Sequence, residues 1–131
     1  MQLTLLRWIG AGLVLAAGAV HLYLYFDYFH RIATIGPLFL LNAAGGAGVA
    51  VWVAARDRLA PLLAGLGFAV ATLAGFFLSV AVGLFGYHER LRGPWQETAG
   101  LIEALAVVAF CTLLAARARG RVTSGAHPRA V

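Results

Sequence analysis

Residues 59–87 read LAPLLAGLGFAVATLAGFFLSVAVGLFGY, a run with no charged side chain anywhere in it. An α-helix rises about 1.5 Å per residue, so a hydrocarbon core roughly 30 Å thick takes about 20 apolar residues to cross. The run exceeds that length and reads as one membrane-spanning helix from Leu59 to Tyr87. Three more apolar runs flank it: from about Leu5 to Phe26, from Ile35 to Ala55 and from Trp95 to Ala116. Only short connections separate them, DYFHRIAT at 27–34, RDR at 56–58 and HERLRG at 88–93. Hairpin-length loops make successive helices antiparallel neighbours. The expected fold is all-α, an antiparallel bundle of four transmembrane helices over residues 1–116. A basic tail at 117–131, rich in small and polar residues, is expected to be disordered.

Composition points the same way. The chain of 131 residues is 62% hydrophobic and 11% charged, with a mean hydropathy of +0.86, far from the balance of a soluble domain. A net charge of +5 would suggest nucleic acid in a soluble protein. Here the arginines report topology instead, and no nucleic-acid partner is expected. Arg7, Arg56, Arg58, Arg117, Arg119, Arg121 and Arg129 fall at one end of the bundle, against Arg31, Arg90 and Arg92 at the other. Positively charged loops stay inside, so both termini are expected in the cytoplasm, with the 1–2 and 3–4 loops on the extracytoplasmic side. Arg7 ahead of a segment containing LAAGA has part of a signal-peptide pattern. The apolar run nevertheless continues into an aromatic end, so an uncleaved first helix is expected. Cys111 stands alone, which excludes a disulfide framework and CxxC thiol exchange.

Helices in lipid associate through close backbone approach and interhelical hydrogen bonds, which favours small residues at spacing four. The third run carries Gly75-x-x-x-Ser79-x-x-x-Gly83, extended at spacing three by Thr72 and Gly86. Gly45 and Gly46 follow Asn42 by one turn, and Ala17 and Gly18 precede His21 by one turn. Gly75, Gly83, Gly45 and Gly46 are the expected packing positions.

Four polar residues lie within the apolar runs. Counted from the expected outer helix ends, His21, Asn42, Ser79 and Glu103 all fall roughly 9–12 Å below the boundary, one from each helix. An ionised carboxylate near mid-bilayer costs about 2.5–3.5 kcal/mol on insertion scales, so Glu103 is expected to face the bundle and meet a partner, with His21 the natural choice. Asn42 and Ser79 can donate or accept hydrogen bonds beside them. Three readings follow: an outer-leaflet pocket for a small ligand or a proton, a structural polar clamp holding the helices in register, or lipid-facing residues that snorkel outward.

The outer rim adds Asp27, His30, His88, Glu89, Gln96 and Glu97. His30, His88 and Glu89 are the residues there that would suit a divalent metal, although no HxxxH, HExxH or CxxC spacing is present. Haem b between His21 and His88 is the corresponding redox alternative. Tyr23, Tyr25, Phe26, Tyr28, Phe29, Tyr87 and Trp95 read as an outer aromatic belt, with Trp8 and Trp52 at the inner interface. Tyr25 shares a helix face with His21 and is placed at the pocket entrance.

Taken together, HLYLYFDYFHRIATIGPLFLLN, FFLSVAVGLFGYHE and PWQETAGLIEALAVV resemble an uncharacterised family of small four-helix integral membrane proteins from high-GC Gram-positive bacteria. The resemblance spans nearly the whole chain except the tail. It implies a compact four-helix membrane fold and transfers no catalytic residue. Small multidrug-resistance transporters match in size but carry their essential glutamate in the first helix, where this chain has none. Small fluoride channels match in length, yet their GGxxGAxxRY word has no counterpart here. Four-helix thiol oxidoreductases need paired cysteines.

The leading expectation is a non-enzymatic membrane bundle with a pocket at His21, Asn42, Ser79 and Glu103, binding a small ligand or proton, or serving as an accessory subunit. No cofactor is expected on that reading, and the partners are the lipid bilayer and either further copies of the chain or a larger membrane complex. The alternative is a haem- or metal-binding redox protein using His21 with His88 or His30.

Overall fold

The computed structural model describes residues 2–90 and 94–125, with 121–125 as backbone only. Four helices follow in chain order: α1 (Gln2–Asp27), α2 (Ile35–Ala55), α3 (Leu59–Ala81) and α4 (Pro94–Gly125), with a 3-10 turn at Phe29–Arg31. All four are long and apolar enough to cross a membrane, the apolar part of α4 being Pro94–Gly120. They form the expected antiparallel bundle. Each helix packs against its sequence neighbours and α4 closes back onto α1, so the helices stand at the corners of a square. Contact is densest between α1 and α2 and sparsest along the side between α2 and α3.

The bounds of α2 are as the sequence predicts. α3 stops short of the predicted end at Tyr87 because the backbone turns left-handed after Ala81. Gly83, Phe85 and Gly86 have φ of 86°, 49° and 79°. The Gly83 amide reaches back to the Leu78 carbonyl at 2.9 Å, the i to i−5 bond that closes a helix ending in a left-handed glycine. Leu84 and Tyr87 then exchange backbone hydrogen bonds of 2.7 and 2.9 Å around Phe85-Gly86. Positive φ at both central residues is what a type I′ turn requires. Apolarity over 82–87 therefore belongs to a turn at the membrane surface rather than to a helix.

α4 departs in the other direction. It runs past Ala116 to Gly125, so 117–125 is helical where a disordered tail is expected, while 126–131 lie outside the described residues. Ala and Arg in this stretch are strong helix formers with no proline to stop them. Arg117 also ties the helix to the 56–58 loop, donating to the Asp57 side chain at 2.8 Å and to its carbonyl at 3.0 Å.

The half of the bundle that holds the chain's N-terminus and the 56–58 loop is a continuous apolar core that includes Val14, Val53, Leu62, Ala106, Phe110 and Leu113. Phe110 lies at its centre, its ring against the backbones of Gly10 on α1 and Gly65 on α3. α1 and α2 meet where a Cβ on Gly46 would stand 3.1 Å from the Val14 carbonyl and one on Gly18 would stand 3.2 Å from that of Ala43. Gly45 faces the Phe68 ring. Gly45 and Gly46 thus pack as the sequence predicts. Gly75 and Gly83 do not: a Cβ on Gly75 meets nothing within 4 Å, and Gly83 is a left-handed turn residue under His88.

A second, smaller core joins Leu24, Phe29 and Ile35 at the opposite end, by the 27–34 connection. Phe29 is 1% exposed and stacks on Phe39 at 4.2 Å, so it is core and not belt. Its aromatic partner across the bundle is Tyr87 at 5.6 Å. Tyr23, Phe26 and Trp95 are exposed as a belt requires, and so are Trp8 and Trp52 at the other end.

Candidate functional site

Beyond the Gly45/Phe68 contact, α2 and α3 touch only sparsely. The space between them is a cavity of about 460 Å³. His21 on α1, Phe39 and Asn42 on α2, and Thr72, Gly75, Phe76 and Ser79 on α3 line it, with Leu84, Phe85 and Glu89 of the following turn along its edge. Leu41 and Phe85, both among the lining residues, are 67% and 69% exposed, so the cavity opens sideways toward the space that lipid would fill.

Of the residues expected at the site, His21, Asn42 and Ser79 line this cavity together. Glu103 lies outside the lining. It is 1% exposed, and His21 Nε2 stands 3.7 Å from its Oε1. Tyr25 packs on His30 at 6.0 Å and on Gly36, away from the cavity. Ser79 is nearer the surface than expected, because α3 ends at Ala81 and leaves it within the last turn, roughly 3 Å below the helix end. Thr72 instead faces Asn42 at depth. The sequence shows Thr72 only as a member of the small-residue stripe.

Local hydrogen bonding fixes the orientation of these groups. The Thr72 hydroxyl donates to the Phe68 carbonyl at 2.8 Å, so its oxygen is left as an acceptor for Asn42 Nδ2 at 2.9 Å. That chain assigns the amide: nitrogen toward Thr72, oxygen away from it. Asn42 Oδ1 is buried and has no hydrogen-bond partner. Similarly, a carbonyl can only accept, so the 2.9 Å contact between His21 Nδ1 and Ala17 O places a proton on Nδ1. Nε2 is then the nitrogen that faces Glu103.

The His21–Glu103 contact is not a closed clamp. A distance of 3.7 Å exceeds hydrogen-bond range, and neither Glu103 oxygen has a hydrogen-bond partner. Buried carboxyls in folded proteins are almost always hydrogen-bonded. The pair is therefore close enough for charges on the two groups to interact, yet leaves bonding capacity unused. His21 also packs at a tilt against Phe39, ring centroids 4.8 Å apart, which holds the imidazole between the cavity and the carboxyl.

The rim histidines have other commitments. His30 Nδ1 donates to the Tyr25 carbonyl at 3.0 Å, and its Nε2 accepts from Arg31 at 3.3 Å. Both nitrogens are used, which leaves no lone pair for a metal in this arrangement. His88 lies over Gly83, and Glu89 joins the cavity edge. No three His, Cys, Asp or Glu side chains converge among the described residues.

Phe85 is the strained member of the edge. A bulky side chain in the left-handed region costs roughly 1–2 kcal/mol, and this one is mostly exposed. Phe85→Gly is expected to raise stability by about 1 kcal/mol, read as a later midpoint in a denaturing-detergent titration. A lower midpoint would mean that the ring packs more tightly than its exposure implies.

Compared with known protein families, with curated proteins and with solved structures, the chain matches none.

Proposed function

We propose that this is a small multi-pass protein of the bacterial plasma membrane whose outer-leaflet pocket takes up one small, mainly apolar ligand from the bilayer. His21 and Glu103 form the proton-bearing pair behind it. The observation that carries this reading is the sideways-opening cavity between α2 and α3, apolar in most of its wall but holding His21, Asn42 and Ser79. Ligand sites are concave and largely apolar, with a few convergent polar groups that set orientation. Conduction fits less well, because a path for ions or protons needs polar groups along its length, and the inner half of the bundle is the apolar core around Phe110. The outward placement of the pocket is supported by Arg7, Arg56, Arg58, Arg117 and Arg119 at the opposite end.

Gly75→Leu tests the pocket without disturbing the fold. A Cβ there meets nothing within 4 Å, so the larger side chain grows into the cavity, and loss of a mid-helix glycine favours the helix by up to about 1 kcal/mol. Native mass spectrometry of protein released into mild detergent is expected to show a small-molecule adduct on the wild type that Gly75→Leu lacks. The melting temperature should be equal or higher in the variant. The same adduct on both proteins, or none on either, would sink the proposal.

A further inference from the structure

Asn42, a lining residue whose buried side-chain oxygen is unpaired among the described residues, points to the head group of the cavity's occupant. We infer that the ligand is a neutral hydroxyl-bearing amphiphile, its O–H donated to Asn42 Oδ1 and its apolar body lying along the gap between α2 and α3. The inference rests on the binding role proposed above and adds the ligand's chemical class.

Asn42 supplies the first requirement. Its nitrogen is held by Thr72 and its buried oxygen has no hydrogen-bond partner. Leaving a buried acceptor unsatisfied is costly, so an occupant that donates a hydrogen bond is favoured over one that only accepts. An ether, ester or ketone cannot meet this demand and a hydroxyl can. Ser79 lies along the same face of α3, two turns from Thr72, and offers a second hydroxyl to a polar substituent.

Charge supplies the second. Among the described residues the lining contains no lysine or arginine, so a phosphate or carboxylate head would be buried against them with no counter-charge. A cationic head fares little better. Glu103 stands behind His21 outside the lining, and Glu89 at the edge is already engaged. A neutral head avoids both penalties. Phe39, Phe68, Phe76 and Phe85 form much of the wall, which suits an aromatic ring or a branched apolar body. The mouth between Leu41 and Phe85 leaves a chain free to continue into the bilayer.

The test uses photocrosslinking of the full chain in phosphatidylcholine nanodiscs. The probe is 4-nonylphenol with a diazirine in its alkyl chain, and three controls share that chain: the methyl ether, the benzoate and the trimethylanilinium. Wild-type protein should label on peptides containing Leu41, Phe76 and Phe85, with the phenol ahead of its ether by about five- to tenfold, the worth of one buried hydrogen bond. Asn42→Leu should erase that preference while keeping the labelling of the ether. Its neighbour Thr72 keeps the bond to Phe68, so the helix face is not left unsatisfied. Equal labelling by phenol and ether, or stronger labelling by the benzoate or the trimethylanilinium, overturns the hydroxyl assignment. Pocket labelling by every probe that is no greater in wild type than in Gly75→Leu overturns the binding role itself, so the two failures are distinguishable.

Discussion

Phe110→Ala is expected to cost about 2–3 kcal/mol, a large effect for one side chain in a chain of this size. The ring is 0% exposed and lies between Gly10 and Gly65, whose backbones leave it no spare room. In lipid the unfolded reference is itself apolar, so transfer from water contributes little and the loss comes from packing. Removing the ring vacates roughly 100 Å³ at about 24 cal/mol per Å³ of residual cavity. Two glycine backbones cannot collapse into that space as side chains do. Gly65→Ala alone should also destabilise, because its Cβ would collide with the ring. In the Phe110→Ala background the same change fills part of the void, so the double variant should be more stable than the sum of the two single effects implies. A denaturant cycle on the four proteins checks this, and strict additivity would mean that Phe110 and Gly65 do not share one packing site.

The number and kind of helices were legible because span length and the absence of charge depend on composition alone, which needs no knowledge of partners. The bound at Tyr87 was not. Residues 82–87 are as apolar as the helix before them, and only the spacing of Gly83 and Gly86 around Leu84-Phe85 signals a left-handed turn. That single shift displaced Ser79 from the predicted polar layer to the helix end. It also changed the meaning of the stripe Gly75-x-x-x-Ser79, which lines a void where small residues in a membrane helix suggest a contact. A pattern of small residues records that something approaches or that space is kept open, and sequence spacing does not distinguish the two.

The candidate site was legible in its members more than in its arrangement. Intramembrane polarity alone singles out His21, Asn42 and Glu103, since each must face protein. That Asn42 bonds Thr72, and that His21 separates Glu103 from the cavity, depends on helix rotation and on the uneven contact of α2 with α3. Phe29 shows the same limit from the other side. Its neighbours Tyr28 and His30 are surface residues, and the 3-10 turn at Phe29–Arg31 alone carries the ring inward onto Phe39.

Glu103→Met is the change that separates a functional acid from a structural one. If the His21–Glu103 contact were a clamp, removing the acid would strip α1 and α4 of their polar tie and lower stability. The geometry predicts the opposite. At 3.7 Å the pair lacks hydrogen-bond contact, and both carboxyl oxygens are buried without hydrogen-bond partners. Replacing an unsatisfied buried polar group by an apolar one of similar size is commonly neutral or stabilising by about 1–3 kcal/mol. Met fills nearly the same volume as Glu, and His21 keeps its bond to the Ala17 carbonyl. The variant should therefore unfold at an equal or higher denaturant midpoint. The wild type is expected to show a carboxyl band that ligand uptake perturbs in infrared difference spectra, and the variant to lack it. A fall of 2 kcal/mol or more, with no change in that region of the spectrum, would return Glu103 to the role of a clamp. Stability retained together with the spectral change lost would mean that the fold tolerates an acid at this depth because the pocket uses it.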